Sequence, residues 1–235
     1  MIRAIDRSRS RATGAAHTPF AQRWASARSS ALWLPILRIT AVNPWLVLEA
    51  AAVLLTFASV IFQIFENIWG WPTTIAGVAC YSFLFFHERL YADMCLQAVY
   101  ITLAIYGWYE WLHGGEAKTE RKVSNASIRV QATAYLIGAG SAVILGFTFR
   151  YATNAALPFL DSTLTSYSLI AQWMLTRKYL ENWIVWIAVD VVYVGMFIFK
   201  HLYMTAGLYV VFIASCTWGY LQWKRSREVV EAAGL

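Results

Sequence analysis

The sequence predicts an all-α integral membrane protein with seven transmembrane helices, arranged as two parallel three-helix repeats joined by one linker helix. Three observations lead there. The chain of 235 residues is 59% hydrophobic and only 14% charged, with a positive mean hydropathy of +0.50. Soluble domains run at about 45–50% apolar and about 25% charged, so this chain has too few charges to solvate a surface. The charges also cluster: at the N-terminus, near 113–129, near 177–181 and after Trp223. Between the clusters lie apolar stretches able to cross roughly 30 Å of hydrocarbon, which takes about 20 helical residues. Third, the first and last parts of the chain resemble each other.

A basic arm, residues 1–43, comes first. It carries Arg3, Arg7, Arg9, Arg11, Arg23, Arg28 and Arg38 against Asp6 alone, and supplies much of the formal charge of +6. Its first apolar run begins near residue 31, after a long polar stretch and without a small-residue cleavage site, so it does not read as a signal peptide. No nucleic-acid recognition motif accompanies it. The arm is expected to be a flexible or interfacial extension that touches anionic headgroups.

Spanning helices are expected at about 44–65, 70–87, 90–111, 128–149, 160–178, 182–200 and 202–223. Asn43-Pro44 suits a cap followed by a first-turn proline. The first three helices form repeat A (44–112), the last three form repeat B (160–223), and the linker (113–159) holds the fourth. Residues 224–235 are expected to be a short charged tail. Glu66-Asn67 and Trp71 match Glu181-Asn182 and Trp186 at an offset of 115. From Tyr81 onward the offset is 112: Tyr81 with Tyr193, Phe85 with Phe197, Gly107 with Gly219 and Trp111 with Trp223. One intervening helix restores the direction of the second triple, so the repeats are parallel, and such transporters bind cargo between their repeats near mid-membrane. Outside the arm, about nine Lys and Arg lie on the face carrying the C-terminus and about three opposite. That bias favours a cytoplasmic C-terminus. The seven arginines of the arm nearly cancel it, so orientation stays open.

The sixth helix carries Trp183, Trp186, Asp190, Tyr193 and Phe197 at steps of three and four, hence on one face. An intramembrane carboxylate normally faces a protein interior or a water-filled cavity. Pairing with a neighbouring helix would also account for it. The third helix repeats the stripe with Asp93, Gln97, Tyr100, Ala104 and Gly107. Gln97 can bind an amide or a ribose hydroxyl, or simply glue helices together. Asp93 lies where compensation of the helix dipole suffices. The fifth helix adds Asp161, Thr165, Ser168 and Gln172; the hydroxyls suit close packing, and Gln172 lies deeper. Trp108, Trp111, Trp218, Trp223, Tyr106 and Tyr220, at helix ends, read as interfacial anchors. Gly107 and Gly219 read as close-packing points.

No HExxH, GxSxG, Walker loop or GxGxxG motif occurs, which speaks against an enzyme and against ATP coupling in this chain. The four histidines and Cys80, Cys95 and Cys216 show no metal-ligand spacing, so neither metal nor cofactor is expected.

Asn67-Ile68-Trp69-Gly70-Trp71-Pro72, Leu90-Tyr91-Ala92-Asp93, Tyr106-Gly107-Trp108-Tyr109-Glu110-Trp111 and above all Glu181-Asn182-Trp183-Ile184-Val185-Trp186 resemble the PnuC family of nicotinamide riboside transporters. The resemblance covers roughly 44–223. It implies a SWEET-like fold, a homotrimer in a bacterial inner membrane, and facilitated diffusion with trapping by a cytoplasmic riboside kinase. The family's tryptophan pair falls on Trp183 and Trp186, and other site groups on Trp69, Gln97, Asp190 and Tyr193, with Asn182 inside the motif. Relatives that carry thiamine or riboflavin keep another aromatic vitamin open as cargo; a membrane-embedded enzyme or interaction protein is the reading of another class.

Overall fold

The computed structural model describes residues 43–89, 91–152 and 157–232. The expectations for the basic arm lie outside the described residues, apart from its last residue, Asn43. Seven α-helices follow in order: α1 Pro44–Ile64, α2 Gly70–His87, α3 Tyr91–His113, α4 Ile128–Ala152, α5 Pro158–Thr176, α6 Asn182–Phe199 and α7 Tyr203–Ala232. The seven expected spans are all present. The last one is longer: α7 runs helical to Ala232, so the charged segment after Trp223 continues the helix as far as it is described. Arg227 holds that extension down. Its Nη1 donates to Asn125 Oδ1 at 2.6 Å, and its Nε lies 3.3 Å from Glu231.

By length and hydropathy α1, α4, α6 and α7 qualify as membrane spans. The sequences of α2, α3 and α5 have lower hydropathy: α2 carries hydroxyls such as Thr74, and α3 and α5 carry amides and carboxylates such as Gln97, Asp93, Gln172 and Asp161.

The repeat keeps one register throughout. α2 and α6 each have 18 residues, and starts and ends differ by 112: Gly70 with Asn182, His87 with Phe199. The turn before each has the same shape. Glu66 and Lys178 both adopt positive φ, 55° and 49°. Asn67 N donates to Phe62 O and Glu66 N to Gln63 O; Tyr179 N donates to Met174 O and Lys178 N to Leu175 O. Both are Schellman ends, which use a left-handed residue to satisfy the last carbonyls of a helix. The offset of 115 expected from Glu66-Asn67 is therefore corrected. Glu66 corresponds to Lys178, Trp71 to Trp183, and Thr74 to Trp186. A chance Glu-Asn dipeptide hid this register.

Four indoles lock the repeats at the charged end. Trp71 meets Trp111 edge-on at 5.2 Å and 88°; Trp183 meets Trp223 at 5.3 Å and 84°. Trp111 Nε1 donates to Leu175 O in repeat B at 3.1 Å, and Trp223 Nε1 to Gln63 O in repeat A at 3.0 Å. Residue i touching j while j touches i is the signature of a two-fold relation. Glu66 and Lys178, at equivalent positions, pair at 3.0 Å, and Lys178 Nζ lies 4.5 Å from the Trp111 ring centre. Trp111 and Trp223 are thus core residues, 2% and 0% exposed, and not the interfacial anchors that their place at helix ends suggests. Tyr106 likewise accepts from Arg177 Nη1 at 3.0 Å. Trp108 and Trp218 are exposed, as an anchor requires.

Lys178 is nearly enclosed, with a side chain 9% exposed beside a Glu66 side chain 21% exposed. Removing one partner of such a pair strands the other charge, whereas removing both strands nothing. Lys178→Met is therefore expected to lower the melting temperature in detergent more than the double variant Glu66→Gln/Lys178→Met. A double variant that is the less stable of the two would contradict this account.

α4, the linker helix, packs on repeat B. Its buried stripe Ala134, Gly138, Ala142 and Gly146 repeats every four residues and meets Tyr167, Ile170, Phe159 and Ser162 of α5. The linker before it is stapled to the α5–α6 turn. Ser124 N donates to Lys178 O, Leu180 N to Ser124 O, and Ala126 N to Glu181 Oε2 at 2.9 Å.

Candidate functional site

A cavity of about 400 Å³ opens between the repeats above the indole lock. Both repeats line it, and α4 contributes nothing. From repeat B come Trp183, Trp186, Asp190 and Tyr193 on α6, Ser168, Gln172 and Leu175 on α5, and Tyr209, Phe212 and Cys216 on α7. From repeat A come Thr56, Ser59, Val60 and Gln63 on α1, Thr74, Val78 and Tyr81 on α2, and Gln97 and Tyr100 on α3.

The α6 stripe faces inward as its spacing requires. Trp186 is half-buried and bridges the two apolar clusters of the bundle, which leaves part of its ring to the cavity. One turn deeper, Asp190 is 5% exposed, and Cys216 Sγ lies 3.9 Å from its Oδ2. A thiol is a weak donor, so it offsets little of a carboxylate's charge. No Lys, Arg or His lines the cavity among the described residues. Farther along, Tyr193 stacks on Phe197 at 5.9 Å and meets Tyr209 at 4.7 Å with the rings tilted by 35°. Tyr100 lies beside Tyr193 and Ser168.

Of the nine residues expected from the sequence, seven meet at this cavity: Gln97, Tyr100, Gln172, Trp183, Trp186, Asp190 and Tyr193. Trp183 does so only at its edge. It is 2% exposed, and its ring presses on Gly219, where a Cβ would stand 2.7 Å from the indole. Most of its surface is spent on Trp223.

The other two lie elsewhere. Trp69 is 64% exposed and precedes the first residue of α2, so its indole faces outward. Asn182 is fully buried at the first residue of α6, where its amide donates to Tyr179 O at 2.7 Å. It occupies the place that Gly70 holds in repeat A, packed against the turn below the cavity.

Sequence reading passed over Gln63, Thr74, Ser59 and Tyr209. A single 112-residue register would have pointed to two of them: Thr74 is the counterpart of Trp186, and Tyr209 of Gln97; Gln63 and Ser59 correspond to Leu175 and Ala171, which carry no polar signal.

Comparison with known proteins is decisive for the family. The family model described as nicotinamide mononucleotide transporter matches residues 46–225. The chain belongs to that family, the PnuC transporters. Nicotinamide riboside transporter PnuC of Escherichia coli strain K12 is 25% identical over 190 residues, covering 68% of this chain and 78% of the relative. Nicotinamide riboside transporter PnuC of Neisseria mucosa is 25% identical over 213 residues, covering 83% and 80%. Riboflavin/roseoflavin transporter RibM of Streptomyces davaonensis is also 25% identical, over 177 residues, covering 72% and 82%. A crystal structure of the vitamin B3 transporter PnuC superposes with a TM-score of 0.60 at 23% identity, over 88% of this chain and 92% of that one, and shows the shared fold. The chain is thus a multi-pass membrane protein of a transporter family.

Proposed function

We propose that this protein carries nicotinamide riboside across a bacterial inner membrane by facilitated diffusion. The observation that carries the reading is the buried Asp190 carboxylate one turn from the half-buried Trp186, in a cavity without basic residues among those described. A flat pyridinium cation stacks on an indole face with about 0.5–2 kcal/mol of cation–π attraction. Asp190 balances its charge. Gln97, Gln172 and the cavity hydroxyls supply partners for a carboxamide and a ribose. A volume of about 400 Å³ lies within the usual range for small-molecule sites.

The same features disfavour phosphate. A mononucleotide would bring a dianion beside Asp190 with no cation to meet it. The riboside is therefore the better cargo, although the family model is described by the mononucleotide. The riboflavin-transporting relative supports a second reading, an uncharged vitamin, but a neutral ring leaves Asp190 without a counter-charge.

Uniport needs no ion site, and the cavity chemistry is satisfied by the cargo itself. Net uptake then follows from removal of the riboside inside, for which phosphorylation by a kinase is sufficient. A trimeric assembly is the expectation from the family resemblance.

Titration of purified protein with riboside, mononucleotide, thiamine and riboflavin tests the cargo. Riboside is expected to bind, and mononucleotide to bind at least roughly tenfold more weakly, about 1.4 kcal/mol. Tighter binding of riboflavin or mononucleotide would reject the reading. Liposomes should accumulate unchanged riboside only to equilibrium, with or without a proton gradient. Chemically altered product inside would indicate an enzyme instead.

A further inference from the structure

We infer that Gln63, with Thr74 and Ser59, forms an acceptor-rich wall that reads hydroxyl donors on the sugar of the cargo. This rests on the riboside reading and assigns the half of the cavity opposite Trp186 and Asp190.

The polarity of the hydrogen bonds carries the inference. Thr74 Oγ1 donates its one proton to Gly70 O at 2.7 Å. It can then only accept from Gln63, whose Nε2 lies 3.0 Å away. That contact fixes the amide: its NH2 group faces Thr74, so Oε1 must point the other way. Gln63 is 6% exposed and lines the cavity, and Oε1 has no protein partner among the described residues. Ser59 is oriented in the same sense. Its hydroxyl donates to Thr56 O at 2.7 Å, which leaves oxygen lone pairs for the cavity. The wall therefore offers Oε1 of Gln63, Oγ1 of Thr74 and Oγ of Ser59, all as acceptors.

The repeat shows that this is a feature of one half and not of the fold. The corresponding residues in repeat B are Leu175, Trp186 and Ala171, none of which has a side-chain acceptor. The scaffold tolerates apolar groups at all three places. Oε1 opens on the cavity, so an amide held in this direction presents an acceptor to a donor that enters with the cargo. The cation belongs on the aromatic and acidic wall of repeat B; the hydroxyl-bearing part of the cargo then falls on repeat A.

Gln63→Leu installs the residue that repeat B already carries, and the indole bond to its backbone carbonyl needs no side chain. Binding of nicotinamide riboside and of the N-methylnicotinamide cation, which keeps the ring and lacks the sugar, is compared in both proteins by competition. Wild-type protein is expected to prefer the riboside. In Gln63→Leu that preference should narrow at least roughly tenfold, through weaker riboside binding alone. An unchanged preference, or an equal loss for both ligands, overturns the inference while the cargo reading stands. Failure of wild-type protein to bind riboside overturns the cargo reading and takes this assignment with it. If Gln63→Leu does not fold, Thr74→Val, which frees the amide to turn, carries the same comparison and the same outcomes.

Discussion

Trp186→Ala is expected to weaken riboside binding at least roughly tenfold, about 1.4 kcal/mol, and to lower the melting temperature less than Trp183→Ala does. Trp183→Ala is expected to do the reverse. The two indoles are neighbours in one motif, and spacing treats them alike. Their surroundings do not. Trp186 is half-buried, with surface on the cavity, so truncation removes a stacking face for the ring. Trp183 is 2% exposed, stands edge-on to Trp223 and fills the notch over Gly219. Its truncation empties part of the lock between the repeats, and such a change typically costs about 3–5 kcal/mol. Riboside titration paired with thermal unfolding in detergent checks both. If Trp186→Ala kept wild-type affinity, the stacking proposal would be lost; if Trp183→Ala melted like wild type, the lock would not hold the repeats.

Gly107→Ala should destabilise the protein more than any other alanine substitution at a described glycine inside a helix. An added Cβ would fall inside the van der Waals envelope of the Trp71 ring, on Cη2, Cζ2 and Cζ3. Trp71 is fully buried and has no free direction, since Trp111 abuts it at 5.2 Å. Overpacking of this kind costs about 1–3 kcal/mol, and the rigid ring places this site at the upper end. Gly140→Ala is the control. Nothing lies within 4 Å of its Cβ position, and alanine gains up to about 1 kcal/mol of helix propensity. The melting temperature of Gly107→Ala should fall while that of Gly140→Ala holds or rises. Equal behaviour of the two would remove the indole–glycine contact from the account of stability.

The inner face of α6 was legible because an α-helix has a fixed period. Once Asp190 faces a cavity, residues four before and three after it must share its side. The same reasoning brought out Gln97 and Tyr100 on α3. It failed at helix ends, where periodicity carries no information. Trp69 sits two residues before the buried Trp71 and Asn182 one residue before the buried Trp183, yet the first is 64% exposed and the second fully buried. Trp111 and Trp223 have the composition and position of membrane anchors, but their N–H groups cross to carbonyls of the opposite repeat.

Length, hydropathy and charge placement by themselves determined seven spans and their ends to within a few residues up to α7, because hydrocarbon thickness and backbone satisfaction leave the chain no other solution. They also determined that two halves correspond. From Tyr81 onward the residues themselves set the register; before it, the register was decided by the structure, where the matching turns at Glu66 and Lys178 and the packing of Trp71 on Gly107 and Trp183 on Gly219 keep the offset of 112. The cavity's polarity was decided there too. A glutamine in a sequence can turn its amide either way; Gln63 points Oε1 away from Thr74 because Thr74 has already given its proton to Gly70.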